Sequence, residues 1–134
     1  MDPTGISILA GVLAGSMTST KVFGTEPMNA AAVSGRSSWM DFRALVKEDC
    51  GNAGSMTFEI IQGPEYGYLT IRDAKGYPTF QRGNPRTKCS KLLVDGYVIE
   101  YTSKPVYQGP DIFSLKARTS LGYSAVRVYY VAVK

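Results

Sequence analysis

The sequence has no histidine among its 134 residues and only two cysteines. Histidine is the commonest general base and the commonest transition-metal ligand in proteins, so its absence removes the most frequent catalytic and metal sites. Two thiols do not complete a structural zinc site without further nitrogen or sulfur ligands. The motifs of phosphate-binding loops, dinucleotide-binding turns and nucleophile elbows are absent as well. We therefore expect a chain that is not an enzyme, with no catalytic residues, no metal and no cofactor.

Helical periodicity is the second absence. After residue 20, no segment of useful length repeats its apolar residues at the spacing of a helix face. Apolar and polar residues alternate instead, as they do in half-buried strands. The predicted inward residues are Met40, Phe42, Ala44 and Val46, then Met56, Phe58 and Ile60, Leu69 and Ile71, Phe113, Leu115 and Ala117, and finally Val126, Val128 and Tyr130.

Turn signals separate these alternating segments. Glycine and proline punctuate residues 63–67, and residues 119–123 are typical of a hairpin turn before the last strand. The first alternating segment covers residues 39–49. Further strands are predicted at 21–23, 31–33 and 97–102. Seven to eight short antiparallel strands with this spacing predict an all-β sandwich, with residues 21–134 as one domain.

The first 20 residues form a separate apolar segment. Residues 5–16 are too short to span a bilayer as a helix, so no transmembrane span is expected. Their length fits the apolar region of a signal peptide, with Ala14, Gly15 and Ser16 as a small-residue cleavage site. No Lys or Arg precedes this region, however, and Asp2 has the wrong sign. A signal remnant and an arm or first strand that a neighbouring subunit covers both remain open.

A long polar stretch between residues 73 and 95 interrupts the alternation, and we expect an excursion with one short strand at 77–81. Residues 68–134 carry eleven basic and four acidic side chains, a net charge of +7, whereas residues 1–67 carry four and seven, a net charge of −3. Such a basic region suits an anionic partner: lipid headgroups, acidic glycan or nucleic acid. A solvated loop kept soluble by its charges is the alternative.

The two cysteines lie in turn-like, polar surroundings. A buried filler thiol more often lies within an apolar run, so we predict a disulfide between Cys50 and Cys89, with two free thiols as the alternative. The bond would close a loop of about 40 residues and stabilise the fold by about 4 kcal/mol in the chain-entropy model. A disulfide would indicate a periplasmic, cell-surface or secreted protein.

Two segments resemble known sequence patterns. Residues 63–70, Gly-Pro-Glu-Tyr-Gly-Tyr-Leu-Thr, resemble the G-P-x-x-G-x-L turn of bacterial cadherin-like and Ig-like domains. Residues 101–113 are similar to their Y-x-P-x-x-x-Y/F-x-G-x-D-x-F segment, and residues 123–128 resemble their final strand. The likeness covers about residues 30–134 and extends to single-domain exported forms that carry a cysteine before this segment, as Cys89 does here.

The resemblance implies an Ig-like or cadherin-like sandwich that serves adhesion, surface display or assembly. Two departures from the pattern limit it. Ser103 replaces the family's proline, and the acidic clusters with which cadherins bind calcium are absent. We therefore expect Asp111 to hold a turn by accepting backbone N–H bonds rather than to bind a metal, with Phe113 entering the core.

Exposed tyrosines beside basic residues are typical of binding surfaces. The predicted binding residues are Tyr66, Tyr68, Arg72, Lys75, Tyr77, Arg82, Arg86 and Lys88. We expect a non-catalytic binding or adhesion module of the bacterial cell envelope or surface, whose partner is a protein, an envelope glycan or another anionic surface. The alternative is a structural subunit of a virion, such as a decoration protein, or of a surface filament, a homo-oligomer assembling through its N-terminal arm. Nucleic-acid binding through 72–91, with stacking by Tyr77 and Phe80, is a weaker hypothesis because no nucleic-acid fold signature accompanies it.

Overall fold

The computed structural model describes residues 27–80 and 82–134, which form seven strands in two sheets and one short 3₁₀ helix. The elements are β1 (Pro27–Ala32), β2 (Ser37–Arg43), β3 (Met56–Gln62), β4 (Gly67–Gly76), the 3₁₀ helix (Thr87–Lys91), β5 (Val94–Ser103), β6 (Gly109–Thr119) and β7 (Ser124–Val133). Sheet A has the strand order β1-β7-β6-β3, and sheet B has the order β2-β5-β4. The two sheets pack on each other, which confirms the predicted all-β sandwich.

One strand pair departs from the predicted antiparallel arrangement, because β1 and β7 are parallel. The turn at 33–36 carries the chain from sheet A directly into sheet B, so β1 does not form a hairpin with β2. Beyond the pair, the Ser34 N–H donates to the Lys134 carbonyl at 2.8 Å, and the Lys134 N–H donates to the Ala32 carbonyl at 3.0 Å. The two strands end side by side and must therefore run in the same direction.

Aromatic side chains from both sheets fill the main core. Phe113 of β6 stacks on Tyr129 of β7, with ring centroids 4.5 Å apart, and on Tyr101 of β5 at 6.3 Å. All three rings are fully buried, and Leu115 and Ala117 are buried on the same face of β6 as Phe113. The predicted inward face of β6 is thus confirmed. Each fully buried large apolar side chain stabilises the fold by about 1.5–3 kcal/mol.

The predicted inward face of β2 is wrong in part. A β-bulge between Trp39 and Asp41 shifts the register, so Met40 enters the main core whereas Phe42 faces the outer side of sheet B. An extra residue in one strand reverses the side-chain alternation beyond it, and simple period-two counting misses the reversal. The strand also ends at Arg43 instead of continuing to residue 49.

The predicted inward face of β7 is wrong. Its buried residues at the C-terminal end are Tyr129, Val131 and Val133, whereas the predicted Val128 is only partly buried and Tyr130 is exposed. Apart from Arg127, every residue from 126 to 133 is apolar or aromatic. The even-numbered and the odd-numbered residues are therefore equally plausible as the buried face. The pairing with β6 selects the face that contacts Phe113.

Residues 44–53 and 77–93 lie between strands and are joined by the Cys50–Cys89 disulfide, which confirms the predicted bond. Cys89 is fully buried and packs with Val46 and Val94 in a second apolar cluster. No strand forms at 77–80, contrary to the prediction, because this part crosses the outer side of sheet B and Phe80 packs against the second cluster. The apolar segment 1–20, the predicted strand at 21–23 and residue 81 lie outside the described residues.

Candidate ligand-binding face

The excursion at 77–93 covers only part of the outer side of sheet B. Val98 of β5 points outward and is nevertheless fully buried, next to the Phe42 side chain of β2. The Phe42 ring lies directly over Gly96, where a Cβ would be 2.6 Å from it. Farther along the sheet, nothing in 27–80 or 82–134 covers the outer side, which presents Ser37, Trp39, Tyr68, Thr70, Arg72, Glu100 and Thr102.

Strand register places the two large aromatic rings of this surface on the same side of the sheet. Trp39 of β2 pairs with Glu100 of β5, and Tyr68 of β4 pairs with Thr102 of β5. Glu100 and Thr102 are two residues apart, so all four side chains point the same way. Trp39 is 54% exposed and Tyr68 is 61% exposed. Two strand spacings, about 10 Å, separate the edge strands that carry these rings.

Glu100 holds the polar part of this surface in place. Arg72 donates two hydrogen bonds to it, from Nε to Oε1 at 3.0 Å and from Nη2 to Oε2 at 3.3 Å. Smaller contributions from the side chains of Trp39 and Ser37 also lower the pKa of this carboxylate. A fork of two parallel bonds fixes the guanidinium. We call Trp39, Tyr68, Arg72 and Glu100 the aromatic face.

The same contacts keep the aromatic face charged. The hydrogen bonds from Arg72 hold the pKa of Glu100 below its ordinary value, while partial burial opposes this shift. Glu100 in turn raises the pKa of Arg72 above its ordinary value. The ion pair therefore persists into mildly acidic solution, and a ligand meets a donor and an acceptor whose positions are already set.

The eight predicted binding residues do not form one site. Tyr68 and Arg72 belong to the aromatic face, whereas Tyr66 is half-buried and stacks on Tyr107 with ring centroids 4.1 Å apart. Lys75 lies farther along β4 and pairs with Asp95 at 2.9 Å. The remaining four residues, Tyr77, Arg82, Arg86 and Lys88, lie on the excursion.

Within the excursion, Arg86 supports the structure. Its Nε donates to the carbonyl of Val46 at 2.8 Å and so joins the excursion to the segment after β2. Tyr77, with Phe80 and Asn84, lines a groove of about 580 Å³ between the excursion and β2. Of the two residues predicted to stack on nucleic-acid bases, Tyr77 is exposed, whereas Phe80 is partly buried and packs against the second apolar cluster.

Two charged side chains that line this groove, Asp41 and Arg127, form an ion pair. Asp41 accepts hydrogen bonds from Arg127 at 2.8 Å and from the hydroxyl of Tyr129 at 2.7 Å. Burial, with the neighbouring Asp41 carboxylate, raises the pKa of Tyr129, so the hydroxyl stays protonated as a donor. Because β2 and β7 belong to different sheets, this cluster links the two layers, and we assign it a structural role.

Sequence reasoning missed Trp39 and Glu100. The alternation predicts Trp39 only as the first residue of a strand. Yet Trp39 is the one tryptophan of the chain and lies at a polar position of the alternation, between Ser38 and the inward Met40. A large aromatic residue at an outward position is a usable signal for a binding surface. Glu100 has no such signal, because its importance depends on contacts with two other strands.

The described residues contain no group of three or more acidic or cysteine side chains placed to hold a metal ion. Asp111 accepts hydrogen bonds from the backbone N–H groups of Glu65, Tyr66 and Ile112, as expected of a turn-holding residue. No helix in 27–80 or 82–134 is long and apolar enough to cross a membrane. No protein-family model, curated protein or solved structure matches the chain, and the aromatic face is therefore interpreted from its own residues.

Proposed function

We propose that this chain is a non-catalytic, Ig-like binding domain of the bacterial cell envelope or surface, and that it holds a glycan on the aromatic face. The observation that carries the proposal is the position of Trp39, which is half exposed on the sheet surface beside Glu100, its cross-strand neighbour. Exposing an indole costs hydrophobic free energy. A ligand that covers this ring and Tyr68 together recovers that free energy.

The strand arrangement supports an Ig-like domain. With β1 to β7 lettered A to G in chain order, strands B, E and D form one sheet, and strands G, F and C form the other together with A. Immunoglobulin-type sandwiches group B, E and D against C, F and G in the same way. The cadherin-like motifs at 63–70 and 101–113 lie in two turns at the same end of this sandwich, where the Lys104 N–H donates to the Tyr66 carbonyl at 2.7 Å.

The disulfide supports export to the periplasm, the cell surface or the medium. It joins two long irregular segments, each of which has few backbone bonds to the sheets. Disulfides of this structural kind persist in oxidising compartments and are rare in the reducing cytosol. Envelope glycans and other cell-surface polymers are available to a protein in those compartments.

The chemistry of the aromatic face favours a glycan over a small apolar ligand. A sugar ring has an apolar C–H face that packs on an aromatic ring, and hydroxyl groups at its edge that need donors and acceptors. Arg72 supplies fixed N–H donors, and Glu100 supplies an acceptor. Among the residues that the structure describes, none forms a wall around this sheet surface, which suits an extended chain of sugars that runs across the strands from Trp39 to Tyr68.

Tryptophan fluorescence tests this proposal directly, because Trp39 is the only tryptophan in the chain. We expect oligosaccharides from bacterial envelope glycans to change the emission of Trp39 in a saturable titration. Tyr68→Ala leaves the reporter in place and should weaken binding about tenfold, because one stacking surface is lost. Tyr130→Ala, at a tyrosine 47% exposed on sheet A, is the matched control and should bind like wild type. Absence of any response, or equal losses in the two variants, would contradict the proposal.

A structural subunit of a virion or surface filament is the second candidate, favoured by the open edge of β3. Within the described part of the chain, β3 pairs with β6 alone, and Ile60 and Ile61 on it are both more than half exposed. Such an edge recruits strands from other copies. Sedimentation separates the candidates: an assembly subunit associates as the full chain and dissociates when residues 1–20 are removed, whereas a binding domain remains monomeric in both forms.

A further inference from the structure

The excursion ends in a corner that combines two basic and two apolar side chains. Lys88 and Lys91 are both exposed and lie three residues apart in the 3₁₀ helix, so they project from the same side of it. Leu92 and Leu93 follow at once and are 50% and 57% exposed. We call these four residues the lysine–leucine corner. Adjacent leucines at this exposure, next to lysines, are unusual on a surface that faces only water.

The backbone of this corner is well anchored. Cys89, between the two lysines, is fully buried and bonded to Cys50. The Leu92 N–H donates to the Cys89 carbonyl at 3.0 Å, and Val94 directly after the corner is buried in the second apolar cluster. The leucines are therefore held outward by fixed residues on both sides. Their exposure is a property of the folded surface and not of a frayed end.

The corner carries net positive charge. In 27–80 and 82–134, no carboxylate forms an ion pair with Lys88 or Lys91. The nearest acidic residue along the chain, Asp95, is paired with Lys75 at 2.9 Å. Lys88 and Lys91 therefore give the corner two positive charges beside its two exposed leucines. A complementary partner has anionic groups at its surface and an apolar layer beneath them.

We propose that the lysine–leucine corner docks the domain on an anionic lipid surface, an interaction that is separate from glycan binding by the aromatic face. The lysines contact lipid phosphates, while Leu92 and Leu93 enter the boundary between headgroups and acyl chains. Glu100 is six residues along β5 from Val94, about 20 Å away, so docking leaves the aromatic face accessible. One lipid-bound domain can then present its other face to a second ligand.

Vesicle co-sedimentation with the full, oxidised chain tests this proposal. We expect binding to phosphatidylcholine vesicles that contain phosphatidylglycerol, weakening with added salt, and no measurable binding to phosphatidylcholine alone. The pair Lys88→Gln and Lys91→Gln should weaken binding about 30-fold. Leu92→Ser with Leu93→Ser should weaken it at least about tenfold without changing the charge.

Lys104→Gln with Lys134→Gln is the matched control for charge. Both lysines are exposed and lie at the other end of the ten-residue strand β5, about 30 Å from the corner. These two changes should weaken vesicle binding much less than the corner pair does. Equal losses in the two pairs, or equal binding to neutral vesicles, would overturn the proposal. Binding to heparin or duplex DNA that needs the corner, with no binding to vesicles, would also overturn it and indicate a polymeric anion.

Discussion

Replacing Cys50 and Cys89 together by alanine is expected to lower the free energy of unfolding by about 4 kcal/mol. The bond joins residues 39 positions apart, and without it the unfolded chain regains the conformational entropy of that loop. For a domain of this size, the loss corresponds to a decrease in Tm of about 15 °C. Urea unfolding followed by circular dichroism measures the difference.

Reduced wild-type protein is the control for this experiment. It keeps both sulfur atoms, whereas the alanine variant also leaves a small cavity where the buried Cys89 side chain was. We expect the two proteins to be destabilised to a similar extent, the variant slightly more. A loss below about 1 kcal/mol in both would mean that packing of Phe80 and Val46 holds the excursion without the bond.

Reduction of the Cys50–Cys89 bond should affect the lysine–leucine corner more than the aromatic face. The lysine–leucine corner includes the neighbours of Cys89, so reduction removes one of its anchors. The aromatic face is held by Glu100 and the register of three strands, none of which includes a cysteine. Reduced protein that is still folded should therefore lose vesicle binding before it loses the response of Trp39 to glycan.

Much of the fold is predictable from local pattern. The inward residues of β6 follow from strict alternation, and the cysteines follow from their polar, turn-like surroundings. The errors occur where the pattern is ambiguous or broken. In β7 almost every residue is apolar, so only pairing with β6 selects the buried face, and in β2 one extra residue reverses the faces.

The aromatic face was only partly predictable, for a related reason. Tyr68 and Arg72 lie on one strand and were identified from composition, but Trp39 and Glu100 come from two other strands. Their meeting depends on the register of long-range pairs, which the local sequence does not encode. The eight predicted binding residues are divided between the sheet surface and the excursion. The excursion carries four of them away from the sheet surface.

Replacing Asp111 by alanine is the second change with a large expected effect, a loss of about 4 kcal/mol in the free energy of unfolding. The carboxylate is only 6% exposed. Its Oδ1 accepts from the N–H groups of Glu65 and Ile112 at 3.0 and 2.9 Å, and its Oδ2 accepts from the N–H of Tyr66 at 3.0 Å and the hydroxyl of Tyr101 at 2.7 Å. Removing the acceptor leaves one buried and three partly buried donors without it, and each donor left unpaired in a buried position costs about 1–3 kcal/mol.

Tyr101→Phe measures the contribution of one hydrogen bond, from the Tyr101 hydroxyl to Asp111, apart from the other three. It removes one donor and leaves Asp111 with three backbone donors, so we expect a loss of only about 1 kcal/mol. The double variant Tyr101→Phe with Asp111→Ala should be less destabilised than the sum of the two, because no hydroxyl is left unpaired. Asp95→Ala removes an exposed carboxylate and should change stability little.

Calcium distinguishes a turn-holding Asp111 from a metal ligand. The carboxylate oxygens of Asp111 accept hydrogen bonds from three backbone N–H groups and one hydroxyl. A bound cation would have to displace these four donors. We therefore expect the unfolding curves of wild type and Asp111→Ala to be unchanged by added calcium. A calcium-dependent rise in the stability of wild type that the variant lacks would contradict the turn-holding role. Asp111 of β6 holds the turn between β3 and β4, so its loss should loosen that end of the sandwich first. A change in the stacking of Tyr66 on Tyr107 would report this loosening.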